Sequence, residues 1–150
     1  MIVLTRGNIL VSSAQTLVVP VNTEGVMGKG LAEQFKRGFP EVYPAYKRAC
    51  RDRYFARHRN FLYPVKDKII LCMPTKTLWR YPSKIEWIET AVKDIALNYE
   101  KYGITELAIP PVGCGEGNLP WESVKPLLYK YLDPLPITVQ VYVPPHEVLL

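Results

Sequence analysis

The sequence predicts an α/β protein with a largely parallel or mixed sheet covered by helices on both sides. Three observations carry that expectation. Leu17–Val21 is wholly apolar, as a strand buried on both faces must be. Ile85, Ile88, Val92, Ile95 and Tyr99 recur at three- and four-residue steps, the stripe of a helix lying on a sheet. Strand and helix signals then alternate over most of the chain, with no repeat, low-complexity tract or interdomain linker.

Taken in order, Met1–Thr5 reads as an opening strand and Arg6-Gly7-Asn8-Ile9 as a polar turn. After the buried strand Leu17–Val21, Asn22 begins a glycine-rich loop through Gly25, Gly28 and Gly30. Leu31 and Phe35 belong to a short helix that Gly38 closes before Pro40. A second helix is expected from about Glu41 to Arg53. Phe61–Val65 and Lys68–Met73 read as neighbouring strands joined tightly through Lys66-Asp67. The long helix is expected over Lys84 to about Tyr102, opened by a Ser83/Glu86 capping box and closed by Gly103. Glu106–Ile109 is a further strand, Pro120-Trp121 opens a helix to about Leu132, and Ile137–Val143 is the last strand.

The 150 residues suit a single domain, 1–150, and 48% apolar residues suit a soluble one. No apolar run is long enough for a membrane span, and the N-terminus does not read as a signal peptide. Cys50, Cys72 and Cys114 are odd in number and widely spaced, which favours a reducing compartment; the expected location is the cytoplasm. With no CxxC pair and only His58 and His146 as imidazoles, no metal site is expected. A net charge of +5 is compatible with a polyanionic partner without requiring one.

In parallel sheets ligands collect at the carboxyl ends of strands, and three strand-end features can converge there. The loop Asn22–Gly30 is not a P-loop, because Gly28-Lys29-Gly30 lacks the Ser or Thr that meets magnesium. Asn22 at its entrance suits either a grip on ribose hydroxyls or an Asx turn supporting the loop. The second loop, Val112-Gly113-Cys114-Gly115-Glu116-Gly117, offers backbone donors and little bulk, suited to a phosphate nest or to a tight turn. Cys114 within it reads as a packing residue. Lys76 follows the strand ending at Met73. Beyond simple solvation, it could act as a nucleophile if desolvated or as a cation on phosphate. Trp79 and Arg80 suit base stacking and phosphate contact, though Trp79 could equally be core. The basic run Arg51, Arg53, Arg57, His58, Arg59 reads first as a solvated helix end.

Together these residues resemble the macrodomain family, which binds ADP-ribose and often hydrolyses its linkages. The resemblance covers nearly the whole chain and implies a three-layer α/β/α fold with a mixed central sheet. It assigns Arg6-Gly7-Asn8-Ile9 to the adenine end, with Asn8 where many members have aspartate. It assigns Asn22 to the ribose and Val112, Gly113, Cys114, Gly115, Glu116 and Gly117 to the diphosphate; Gly28 and Gly30, which allow a tight turn into the next helix, are further ligand-binding candidates. Within the family the chain is similar to the antitoxin branch that removes ADP-ribose from thymine in single-stranded DNA. The matching segments are Val21–Gly30, Phe35-Lys36, Phe39-Pro40-Glu41 with Tyr46, Pro74-Thr75-Lys76 with Trp79-Arg80 and Ser83, and Pro110–Gly115 with Trp121.

That resemblance implies Lys76 and Asn22 as catalytic residues, ADP-ribose as ligand, no cofactor, and ADP-ribosylated single-stranded DNA as partner. Antitoxins of this branch carry a further C-terminal region that contacts a DarT-like toxin; toxin binding is expected where that region is present. The related animal enzyme acting on ADP-ribosylated glutamate uses the same lysine plus an aspartate where this chain has Gly117. The glycine favours the base-linked substrate. Protein-linked ADP-ribose, O-acetyl-ADP-ribose and simple ADP-ribose binding are the alternatives.

Overall fold

The computed structural model describes residues 1–147. Its strands are β1 (Ile2–Thr5), β2 (Thr16–Asn22), β3 (Phe61–Val65), β4 (Lys68–Lys76), β5 (Leu107–Ile109) and β6 (Val139–Tyr142). They form one sheet in the order β1-β6-β5-β2-β4-β3, parallel throughout except for β3, which pairs antiparallel with β4 at the edge. Its α-helices are α1 (Gly30–Gly38), α2 (Val42–Arg51), α3 (Ile85–Asn98) and α4 (Trp121–Leu132).

The period-2 alternation of the central strands divides the apolar residues between two faces. Val18, Leu71, Met73, Leu107 and Ile109 pack with Ile88, Val92 and Ile95 of α3 and with Val124, Leu128 and Leu132 of α4. Leu17, Val19, Val21, Ile70 and Cys72 face the other way, onto Phe35 of α1 and Val42, Tyr46 and Ala49 of α2. The predicted three-layer arrangement with a mixed sheet is therefore the observed one.

Local differences have physical reasons. β4 runs three residues beyond Met73, so Lys76 ends the strand and does not follow it. The long helix keeps its regular form over Ile85–Asn98 and then turns once more. Ile104 N–H donates to Tyr99 O at 2.9 Å, Gly103 N–H donates to Glu100 O at 3.0 Å, and Gly103 sits at φ 74°. This is a Schellman closure, and the glycine signal belongs to it. The Ser83/Glu86 capping box does not form. Lys84 is the extended residue before α3 and makes no side-chain cap. Ser83 is taken by tertiary bonds: its N–H donates to Gly117 O at 2.9 Å and its hydroxyl to Thr75 Oγ1 at 3.3 Å. Two 3₁₀ turns, Ile9–Val11 and Tyr54–Arg57, had no clear periodic signal.

Candidate active site

A cavity of about 920 Å³ opens at the carboxyl ends of the parallel strands. The sheet itself makes room for it. β2 pairs with β5 only at Thr16–Leu107 and Leu17–Ala108. Farther along, Pro20 on one side and Pro110-Pro111 on the other line the cavity. Proline has no N–H with which to extend a ladder, so the two strands part. This separation lies where the chain order reverses, the usual crevice of an open α/β sheet.

Asn22 closes one side at the end of β2. It is 6% exposed and lies on the cavity wall. Its Oδ1 accepts from the N–H groups of Glu24, Gly25 and Val26 at 3.1, 3.1 and 3.2 Å, and from Tyr46 OH at 2.8 Å. Its Nδ2 donates to Val26 O at 2.8 Å. The oxygen is fully used, so the Asx-turn role is realised, and one amide hydrogen is left for a ligand. Asn22→Ala is expected to cost about 1–3 kcal/mol in thermal or urea unfolding, because it leaves the buried Tyr46 hydroxyl and the loop N–H groups with fewer partners.

Lys76 faces Asn22 across the β2–β4 ladder. The register slips there: Val21 pairs with Pro74, but Asn22 pairs with Lys76. The extra residue, Thr75, makes a bulge of the kind that re-aims a side chain next to a site. Lys76 is 8% exposed, lines the cavity, and its Nζ donates to Glu116 O at 3.3 Å. Burial pulls its pKa below the ordinary lysine value, while the Glu116 carboxylate acts in the opposite direction. Removal from water outweighs the opposing charge, so the neutral, nucleophilic amine is more accessible than on a surface lysine.

The second loop is shaped by what cannot fit. Gly113 has φ 78°, and a Cβ there would lie 2.6 Å from Ile88 Cδ1 and 2.8 Å from Leu119 Cδ1. At Gly117 a Cβ would collide with Ser83 Oγ and lie 2.6 Å from Gly113 O. The N–H groups of Gly113, Gly115, Glu116 and Gly117 have no acceptor among the described residues. Opposite them lies the N-terminus of α1, with Gly30 and Leu31 on the wall. A Cβ on Gly30 would sit 3.4 Å from Glu116 Cγ, so the two glycine-rich loops meet. Unpaired N–H groups and a helix start on one cavity wall are the kind of groups that can meet phosphate oxygens. Gly28, Gly115, Glu116 and Gly117 line the cavity, but Val112 and Cys114 do not. Val112 is buried in the core, and Cys114 packs against it with its Sγ 3.6 Å from Val112 O. Burial pushes the Cys114 thiol up to about 11, which suits packing and not nucleophilic attack.

At the far end, Gly7, Asn8 and Ile9 share the wall with Tyr142, Val143 and Pro145. Asn8 Oδ1 caps the turn at Leu10 N, 3.0 Å away, leaving its amide hydrogens available. Tyr142, Val143, Pro20 and Gln34 were not singled out in the sequence. The strand-end rule applied to the last strand, and the proline inside an apolar strand, were the signals for three of them. Trp79 is 43% exposed at the cavity edge, not core, with Lys29 Nζ 5.6 Å from its ring centre. Arg80 lies outside the cavity wall, 5.3 Å from the exposed Tyr81 ring. The basic run divides. Arg51 and Arg57 are exposed, and Arg59 stacks on Tyr54 at 4.0 Å. Half-buried His58 instead packs its ring on Trp87 at 3.9 Å.

The Macro domain family profile matches residues 18–128. The chain belongs to the macrodomain family. A DNA ADP-ribosyl glycohydrolase of Thermus aquaticus is 41% identical over 144 residues, 93% of this chain and 40% of that protein. A DNA ADP-ribosyl transferase–glycohydrolase fusion protein of Thermosipho africanus is 39% identical, matching 94% of this macrodomain and 41% of the fusion. The chain thus spans about two fifths of the length of these curated relatives. Among solved structures, the macrodomain of Thermus aquaticus DarG superposes with a TM-score of 0.90 at 40% identity, covering 96% of this chain and 99% of that one. Thermosipho africanus DarTG in complex with ADP-ribose superposes with a TM-score of 0.92 at 39% identity, covering 99% of this chain and 43% of that one. Among the described residues no helix is long and apolar enough to cross a membrane, and no group of three His, Cys, Asp or Glu could hold a metal ion.

Proposed function

We propose that this macrodomain is a DNA ADP-ribosyl glycohydrolase that removes ADP-ribose from thymine in single-stranded DNA in a toxin–antitoxin setting. The observation that carries the reading is the desolvated Lys76 amine at the same end of the cavity as Asn22, beside a loop with no carboxylate at Gly117. The names of the similar proteins support it, and the Thermosipho fusion supports pairing with a DarT-like transferase. The three free cysteines favour the cytoplasm.

In this reading Asn8, Ile9 and Tyr142 flank adenine, the free N–H groups of Gly113–Gly117 and the start of α1 hold the diphosphate, and Asn22 orients the distal ribose. Fixing the diphosphate places the anomeric carbon against Lys76 Nζ. The neutral amine attacks that carbon as its bond to the base nitrogen breaks; the base leaves with the bonding pair and takes up a proton. Ring opening gives a Schiff base, and water releases ADP-ribose and restores the amine. As an ammonium, Lys76 would instead stabilise the departing base while water attacks directly.

The two modes differ in pH dependence. A nucleophilic Lys76 predicts turnover that rises with pH as the amine loses its proton, with the rise beginning below the ordinary lysine range. Glu116→Gln removes the charge that favours the ammonium and should move that rise to still lower pH. Turnover that falls over the same interval supports the ammonium. The activity is tested by incubating an ADP-ribosylated thymidine oligonucleotide with the protein and separating the products. The expected result is unmodified oligonucleotide plus free ADP-ribose; recovery of the modified strand intact refutes the proposed function.

A further inference from the structure

A second cleft, of about 280 Å³, lies beside the catalytic end of the cavity. Thr23 and Thr77 line it, each one residue beyond Asn22 and Lys76. The cleft therefore begins one peptide step, about 3.8 Å of chain, from the two residues that face the distal ribose. The strap between the spaces is fixed, since Thr23 N–H donates to the carbonyls of Lys76 and Thr77 at 3.1 Å each.

The other walls are aromatic and basic. Buried Phe55 and the packed rings of His58 and Trp87, 3.9 Å apart, form the aromatic wall, Arg53 lines the cleft beside them, and no acidic residue is among the lining residues. Arg53 makes no ion pair among the described residues. His58 Nδ1 is buried without a hydrogen-bond partner among the described residues. Arg53 and His58 both hold left-handed φ angles, 59° and 57°, which bring the two ends of the turn Tyr54–Arg57 to the cleft.

We infer that this cleft binds the nucleotide flanking the modified one in a single strand. This rests on the base-linked reading of the main cavity. An aromatic wall with an adjoining unpaired cation is the combination that holds a base and meets its phosphate without reading sequence. The position beside Lys76 suits a neighbour of the reacting nucleotide, and the volume approaches the small end of ligand sites, about 300 Å³.

The test compares two substrates, an ADP-ribosylated thymidine nucleoside and a short single-stranded oligonucleotide carrying the same modification. Arg53→Gly and His58→Gly are the variants, because glycine keeps the left-handed backbone without strain. The wild type should show the lower KM for the oligonucleotide. Each variant should raise that KM about 10-fold while nucleoside turnover and ADP-ribose affinity stay unchanged. Equal wild-type KM values for the two substrates overturn the inference, as do variants with an unchanged oligonucleotide KM. Wild-type protein that turns over neither substrate overturns the base-linked reading itself.

Discussion

Lys76→Ala is expected to lower ADP-ribose release by about 10³-fold, the scale on which a positioned acid, base or electrostatic group contributes. Binding of ADP-ribose should survive, because the free N–H groups of the second loop and the start of α1 do not depend on the lysine. Its one hydrogen bond, to Glu116 O, is replaceable by water at the cavity wall. Calorimetry with ADP-ribose beside single-turnover kinetics separates the two effects. Parallel loss of affinity and rate would make Lys76 a structural prop. Lys76→Arg then distinguishes the two chemistries: the guanidinium keeps the charge but cannot form a Schiff base at neutral pH.

The second large effect is at Gly117. Aspartate there would place a carboxylate where the glutamate-specific relative is expected to carry one, but this site does not admit it. A Cβ collides with the Ser83 hydroxyl, which is bonded to Thr75 of β4, and crowds Gly113 O, which accepts from Leu119 N–H. Overpacking of this kind costs about 1–3 kcal/mol. Gly117→Asp is therefore expected to reduce ADP-ribose affinity about 10²-fold, measured by calorimetry, and to gain no activity on glutamate-linked ADP-ribose. Gain of that activity with affinity intact would show that the loop can shift Ser83 aside.

The layers were legible in the sequence because burial leaves a strong periodic trace. The apolar strand at Leu17–Val21 and the stripe from Ile85 to Tyr99 each have one stable placement, between helices and on a sheet. Ends were less legible. Ser83 carries capping chemistry in sequence, but tertiary bonds to Thr75 and Gly117 claim both its N–H and its hydroxyl. No local pattern announces a partner thirty-four residues away, here Gly117.

In the site, the residue types were legible and their division of labour was not. Asn22 had two readings in sequence; the network through Tyr46 and three loop N–H groups shows the supporting one directly. Val112 and Cys114 sit inside the glycine-rich segment, yet both pack on the core. The parting of β2 from β5 was written in Pro20, Pro110 and Pro111, but it becomes a cavity only once the strand order sets those prolines side by side. The second cleft had even less trace, since it joins Thr23 and Thr77 to Arg53, His58 and Trp87 from separate stretches of chain.

Side-by-side turnover of ADP-ribosylated thymidine oligonucleotide, ADP-ribosylated glutamate peptide and O-acetyl-ADP-ribose tests the central claim most directly. The site described above predicts rapid release from the oligonucleotide and little from the other two. Turnover confined to the peptide and the acetylated metabolite, with the oligonucleotide left intact, would contradict it.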